Sequence, residues 1–536
     1  MLRFFGFAVS DLVEITLAVV FVALGWRRWI QPLAQKLAPR TGLCMAILFL
    51  LPIALRLALL PQYPIPSPNV ADDFSYLLSA DTLRHFRLAN PTHPLHQFFE
   101  TFFVLQEPAY QSIFPPGQGL ILAIGWTIFG HPWAGVAISI GTLCALCYWM
   151  LRAWTTPGWA LIGGLLAVVQ FGPLNQWMNS YWGGAVSACA GCLVFGSLPR
   201  LRSSGNPRCA ILLGVGIVFQ FLTRPYEAVF LILSALVFFI ANFRAMLRPA
   251  AIAALVGAPI LGLLTLPWTI SPYMLSQYEY GVPTTFTFQP LPTPHRLLTR
   301  EQQLDYDTQS AVHGPGTDSF ASYWQRWASR LRFYRFFLLA PLYLAIPVFL
   351  LRLREFRFAW VLLTILLFSL GANFYPYFYA HYIAVLSCLF VLIAVAGLER
   401  LSAWNEQAAH IVLLLCAAHF LFWYGLHASR DPELDAALSQ FETWDAINHG
   451  DPLGRIAVRS QLDAAPGQQL VFVRYSPQHR FDEWVYNAAN IDAARVVWAR
   501  DLGTAENQKL LRYYPNRTAW VLQPDAHPPL LAPYPR

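Results

Sequence analysis

Two adjacent carboxylates, Asp72 and Asp73, stand at the head of the segment VADDFSYLLSADTLRHF, directly after the helix-averse run PQYPIPSPN. Like charges this close raise the pKa of one of the pair, which suits a general base that must collect a proton near neutral pH. The same pair could do no more than cap a helix and favour its dipole, contributing about 0.5–2 kcal/mol. A cap, however, needs only one acid. Phe74, Leu77 and Leu78 fall at helical spacing, so the pair occupies the first turn of an amphipathic helix expected to lie along a membrane surface.

The elements that must position this pair are apolar. Hydrophobic residues make up 56% of the 536-residue chain, aromatic residues 15% and charged residues only 12%, and the mean hydropathy is +0.44. This is the composition of a polytopic α-helical membrane protein. A helix of about 18 residues covers roughly 27 Å, near the thickness of the hydrocarbon core. On that measure twelve spans are expected, at about 11–26, 43–60, 133–151, 157–174, 183–198, 209–222, 226–243, 249–270, 336–351, 358–372, 381–397 and 410–427.

The net charge is +7, but the arginines cluster in short connections such as Arg27–Arg28, Arg200–Arg202–Arg208 and Arg352–Arg354–Arg357. They read as orientation signals, and nucleic acid is excluded as a partner. With those connections cytoplasmic, loops 61–132 and 271–335 and the tail face outward. This parity requires the apolar stretch 117–130 to dip into or lie along the outer leaflet without crossing. The chain then divides into a membrane domain, 1–428, and a small extracytoplasmic α/β domain, 429–536. The first apolar stretch reads as a retained anchor. Arginine outnumbers lysine so far, with Lys36 and Lys509 the only lysines, that a bacterial inner (plasma) membrane is the expected setting.

The tail shows strand-like runs at 470–475, 495–500 and 518–522, and between the last two a helix with Thr504 as its expected N-cap. It lacks a glycine-rich phosphate loop. All eight cysteines lie in or beside spans, so no disulfide framework is implied, and the two C-x-x-C spacings read as small-residue packing. His85, His93, His96, Glu100 and Glu107 match no common zinc spacing, so no metal site is expected.

An acidic pair after an early span, a long outer loop with a helix, the Pro-Pro turn FPPG at 114–117 entering an apolar helix, and many spans before an outer soluble domain form an ordered set. Over roughly residues 40–400 the chain resembles the C-type integral-membrane glycosyltransferases, in the branch of the protein O-mannosyltransferases and the lipid A aminoarabinose transferase. The resemblance implies transfer of a sugar from a polyprenyl phosphate to an acceptor at the outer face, usually with inversion and without a nucleotide-sugar donor; the lipid-linked sugar is a substrate, no cofactor is expected, and a divalent metal is left open. It makes Asp72 the base, with Asp73 orienting the acceptor or sharing the proton. Polyprenyl-phosphate sugar, membrane lipid and an acceptor glycan, lipid or protein are the implied partners. The chain departs from part of the family before the Pro-Pro turn, where Ile113 and Phe114 replace a basic residue that often contacts the donor phosphate.

Phosphate binding must then come from elsewhere. Arg224, in LTRPYEAVF between two spans, is at a position where the family often has a basic residue; an ion pair with Glu227 is the equal alternative. His381 and Tyr382 stand at the mouth of a late span, where an aromatic belt would also explain the tyrosine. Tyr181 and Trp182 could stack on a sugar or anchor the interface, the anchor being favoured. Arg326 and Arg330, on an aromatic-rich helix of a loop expected to cover the donor cavity, could hold anionic headgroups or a loaded carrier. Two other classes stay open: a twelve-span transporter or lipid flippase, and a non-catalytic envelope scaffold. Few interior charges (Glu14, Arg56) and lopsided loops speak against the first.

Overall fold

Prolines and glycines punctuate the apolar sequence into helices. Pro157, Pro207 and Pro225 occupy the first helical position of Pro157–Phe171, Pro207–Thr223 and Pro225–Phe239, where the missing N–H costs nothing. Gly130 and Gly205 end two others in the left-handed conformation, at φ 77° and 61°. The structure is a computed structural model that describes residues 9–25, 36–240, 243–268, 286–291, 293–294, 297–313, 317–429, 453–480 and 482–535. Arg27, Arg28, the Gly-Pro-Gly at 314–316 and the first residues of the tail lie outside these.

Among the described residues four helices, Thr41–Ala58, Trp133–Leu151, Ala380–Trp404 and Glu406–Ala428, are long and apolar enough to cross a membrane. Seven shorter apolar helices accompany them. The chain is a membrane protein. Every expected span but one coincides with a helix in the same order. The exception is 336–351: the chain there breaks into short turns of 3₁₀ helix and the helix Ala345–Leu350, bent by 113° relative to Phe320–Phe337. Pro341 and Pro347 fall in this stretch and explain why an apolar run of spanning length does not stay straight.

Small residues let the helices touch. A Cβ on Gly125 would sit 2.0 Å from the backbone nitrogen of Gly135, so Pro116–Phe129 and Trp133–Leu151 pack backbone against backbone. A Cβ on Gly117 would lie 2.6 Å from Thr223, which brings the Pro-Pro turn to the end of Pro207–Thr223, next to Arg224. The eight cysteines are free thiols.

The expected helix forms over Ala71–Arg84, with most of its residues packed inside the protein. Asp73, Ser75, Tyr76, Leu78, Ser79, Ala80, Asp81 and Thr82 are all buried. Its polar and apolar faces are both covered, because the tail folds back over the loop. Leu78, Phe98, Phe99, Val104 and Tyr110 share one core with Leu470, Phe472, Val497 and Leu510 of the tail. Polar ties lock the contact: the Ala489 amide donates to Asp81 at 2.7 Å and the Tyr110 hydroxyl to the Asn487 carbonyl at 2.9 Å.

The tail carries a four-stranded sheet in the order Val496–Arg500, Gln469–Val473, Thr518–Gln523, Leu530–Pro533. The first two pairings are parallel and the last is antiparallel. Helix Arg455–Ala464 precedes the sheet in the chain, and Thr504–Tyr513 connects Val496–Arg500 to Thr518–Gln523. Thr504 begins the second helix instead of capping it; Gly503 takes the cap position at φ 93°, a conformation that threonine avoids.

Candidate active site

The two aspartates divide the roles that the sequence left open between them. Asp73 is 3% exposed, and three backbone amides use its oxygens: Tyr181 at 2.7 Å on one, Asn69 at 3.0 Å and Val70 at 3.4 Å on the other. It caps its own helix and pins the helix start to the loop that carries Tyr181. Three of its roughly four acceptor sites are thus taken by backbone amides, which fix Asp73 beside Asp72.

Asp72 is different. It is partly exposed and makes no side-chain contact with a donor beyond its own helix start. Burial first, and then the charge of Asp73, push its carboxyl up to about 6, against the pull of the Arg224 cation. A carboxylate held up to about 6 is suited to take a proton from a hydroxyl. Burial also pushes Asp73 up to about 6, against its three amide donors.

Around Asp72 four further side chains converge. Tyr76, four residues on and so on the same helix face, stacks on Phe114 of the Pro-Pro turn at 4.6 Å. Arg224 sits between two helices, capping the end of one and the start of the next. Its guanidinium lies 4.1 Å from the centre of the Tyr382 ring. Glu227, one turn further, is buried, yet the two form no direct ion pair. The Glu227 charge still acts on Arg224, and the Tyr382 side chain is hydrogen-bonded to its guanidinium, so part of the fork is engaged. His381 is buried among Trp182, Tyr379 and Tyr382, with ring centres at 4.8, 5.9 and 4.8 Å, and supports Tyr382 from the side.

No family model matches the chain, and no curated protein matches it. Solved structures do. ArnT from Cupriavidus metallidurans in the apo state is similar at 12% identity and a TM-score of 0.49, over 89% of this chain and 92% of that one. The same protein bound to undecaprenyl phosphate is similar at 10% identity and 0.49, over 89% and 93%. The Archaeoglobus fulgidus oligosaccharyltransferase in complex with zinc and sulfate is similar at 12% identity and 0.45, over 90% and 67%.

The remaining candidates are placed elsewhere. Tyr181 is 2% exposed and its hydroxyl donates to the Pro66 carbonyl at 2.8 Å, so it neither stacks on a sugar nor anchors an interface. Arg326 is bound to Asp318 and to the Asn373 carbonyl. Arg330 donates to the carbonyls of Ala372, Tyr375 and Pro376 at 2.8–2.9 Å. Both arginines hold the late loop to the end of the helix Phe356–Ala372, Arg330 with three and Arg326 with four of the five guanidinium N–H donors. Arg330→Met is expected to lower stability by about 2–4 kcal/mol, since three carbonyls lose their donor. A thermal unfolding curve checks this, and an unchanged melting temperature would contradict it. Arg56 is likewise structural, binding Asn179 and the carbonyls of Tyr63 and Pro64.

Among the described residues no group of three or more His, Cys, Asp or Glu is placed to hold a metal. His93 pairs with Asp492 at 3.2 Å and His96 with Glu107 at 3.4 Å. The site also contains residues that sequence reasoning passed over. Tyr76 was findable from its spacing to Asp72. Tyr486 and Arg455 of the tail were not. Tyr486 stacks flat on Phe74, with ring centres 4.3 Å apart and planes at 3°, and Arg455 lies 5.0 Å over the other part of that stack.

Proposed function

We propose that the chain is a membrane glycosyltransferase that moves a sugar from a polyprenyl-phosphate donor to an acceptor hydroxyl, at the extracytoplasmic face and with inversion. One observation supports this reading: the Asp72 carboxylate lies in a partly buried setting where the Arg224 cation, Tyr76 and Tyr382 all act on one another. The arginine supplies two parallel donors to the donor phosphate. Tyr382 holds the guanidinium plane in place beneath it. The sugar then projects toward Asp72.

Asp72 accepts the proton of the acceptor hydroxyl as its oxygen attacks the anomeric carbon. The bond from that carbon to the phosphate oxygen breaks, and the electron pair leaves with polyprenyl phosphate, whose charge Arg224 stabilises. Attack opposite the leaving group inverts the anomeric centre. No cofactor is invoked; the lipid-linked sugar is the substrate.

The test is release of sugar from a synthetic polyprenyl-phosphate sugar by the purified protein. Release that depends on Asp72 supports the reading. A flippase or a scaffold would bind or move the lipid and leave its sugar attached.

A further inference from the structure

A cavity of about 390 Å³ opens where the helix Ala345–Leu350 ends, Phe356–Ala372 begins and Ser387–Trp404 ends. Leu351, Arg352, Arg354, Glu355, Glu399 and Arg400 line it. It lies far from Asp72. The span Ala380–Trp404 carries Tyr382 of the candidate site near its first residue and Glu399 and Arg400 near its last, so roughly 25–30 Å of helix axis separates the two. The cavity is at the opposite boundary of the membrane domain.

Both acids of its wall are engaged by other groups. Glu355 accepts from Arg352 and from Arg357, each at 3.0 Å. Glu399 accepts from Arg352 at 3.0 Å and from the Thr156 hydroxyl at 3.2 Å. Arg352 is thus shared between the two carboxylates. The other two arginines of the wall are not held in this way. Arg354 and Arg400 are exposed, and among the described residues neither makes a hydrogen bond or an ion pair; Arg400 stands over the Trp404 ring at 5.0 Å. Two guanidinium forks therefore open on one cavity, and such a fork matches the oxygens of a phosphate.

The rim narrows the ligand. Leu351 lines the cavity, and Leu350, Phe356 and Trp404 each adjoin a wall residue in the chain; all four are exposed. Large apolar side chains bared at the ends of membrane helices meet acyl chains and the interface. Cations for a phosphate thus stand beside apolar surface for a hydrocarbon tail, and a free phosphate would use only the first.

We propose that this cavity seats the headgroup of an anionic phospholipid, whose phosphate bridges Arg354 and Arg400 while its chains run along Leu350, Leu351, Phe356 and Trp404. This lipid site is separate from the one that Arg224 serves and does not rest on the transferase reading. The bound lipid ties three helices together at their ends.

The full-length protein in detergent micelles would be titrated with phosphatidylglycerol and with phosphatidylcholine of the same chains, bound lipid being counted by native mass spectrometry, and inorganic phosphate added as a competitor. Tighter binding of phosphatidylglycerol is expected, weakened roughly tenfold or more in the double variant Arg354→Gln with Arg400→Gln, since two charge-assisted hydrogen bonds are lost. Arg354→Lys with Arg400→Lys, which keeps the charges, should retain part of it. Melting temperatures should match the wild type in both. The preference is read on the unaltered protein as well, so it does not hinge on either variant folding. Equal binding of the two lipids by the wild type, phosphatidylglycerol binding unaltered by the double variant, or its displacement by inorganic phosphate at the same concentration as the lipid would each overturn the proposal.

Discussion

Asp72→Asn is expected to reduce transfer by roughly 10²–10⁴-fold, the usual contribution of a positioned general base, while the protein inserts and folds as before. The Asp72 carboxylate is favoured only by the N–H at its own helix start and the charge of Arg224, so the fold should lose little with it. Its folded pKa of about 6 lies above the ordinary carboxylate value of 3.8, so the fold favours its protonated form. The stability owed to that preference is present at low pH and is lost as pH rises between those two values. The neutral amide removes this loss, so the variant should melt no lower than the wild type near neutral pH. Asp73→Asn is expected to behave in the opposite way. Its three amide donors would meet an N–H₂ group on one side, leaving at least one buried donor unpaired at a cost of about 1–3 kcal/mol. Transfer assays and thermal melts on both variants separate the roles: full activity in Asp72→Asn removes the base, and a marked loss of stability in that variant would make Asp72 structural.

Much of this architecture is legible in the chain because helices in lipid must satisfy their own backbone, which makes apolar runs and their breakers nearly sufficient to place them. The stretch 336–351 escaped because prolines at 341 and 347 were outweighed by its apolar content. The acidic pair was legible as a pair, but which aspartate caps and which stays open depends on where the amides of Asn69, Val70 and Tyr181 point, and no spacing encodes that. Arg326 and Arg330 show a related ambiguity. An arginine among aromatic residues can serve a lipid phosphate or backbone carbonyls, and the fork of donors fits both. Tyr486 and Arg455 lie some 380 residues or more along the chain from Phe74 and reach it only because the tail docks on the polar loop.

Arg224→Gln is expected to lower transfer by roughly 10²–10³-fold, the scale of losing one charge-stabilising group at a reacting centre, and to move the pH dependence of what activity is left. The base must be unprotonated, so the wild-type rate should rise with pH through about 6 and then level off. Burial and Asp73 raise the Asp72 pKa, and the Arg224 cation opposes them. With the cation gone, the rise should shift to higher pH. Arg224→Lys retains the charge without the planar fork, so its rise should stay near the wild-type position while binding of the phosphate weakens. The two variants thus divide the roles of Arg224, one part acting on the leaving phosphate and one on the base. A pH–rate profile that stays in place in Arg224→Gln would mean that the two groups do not sense each other, and the site would then have to be drawn with Asp72 and the phosphate held apart.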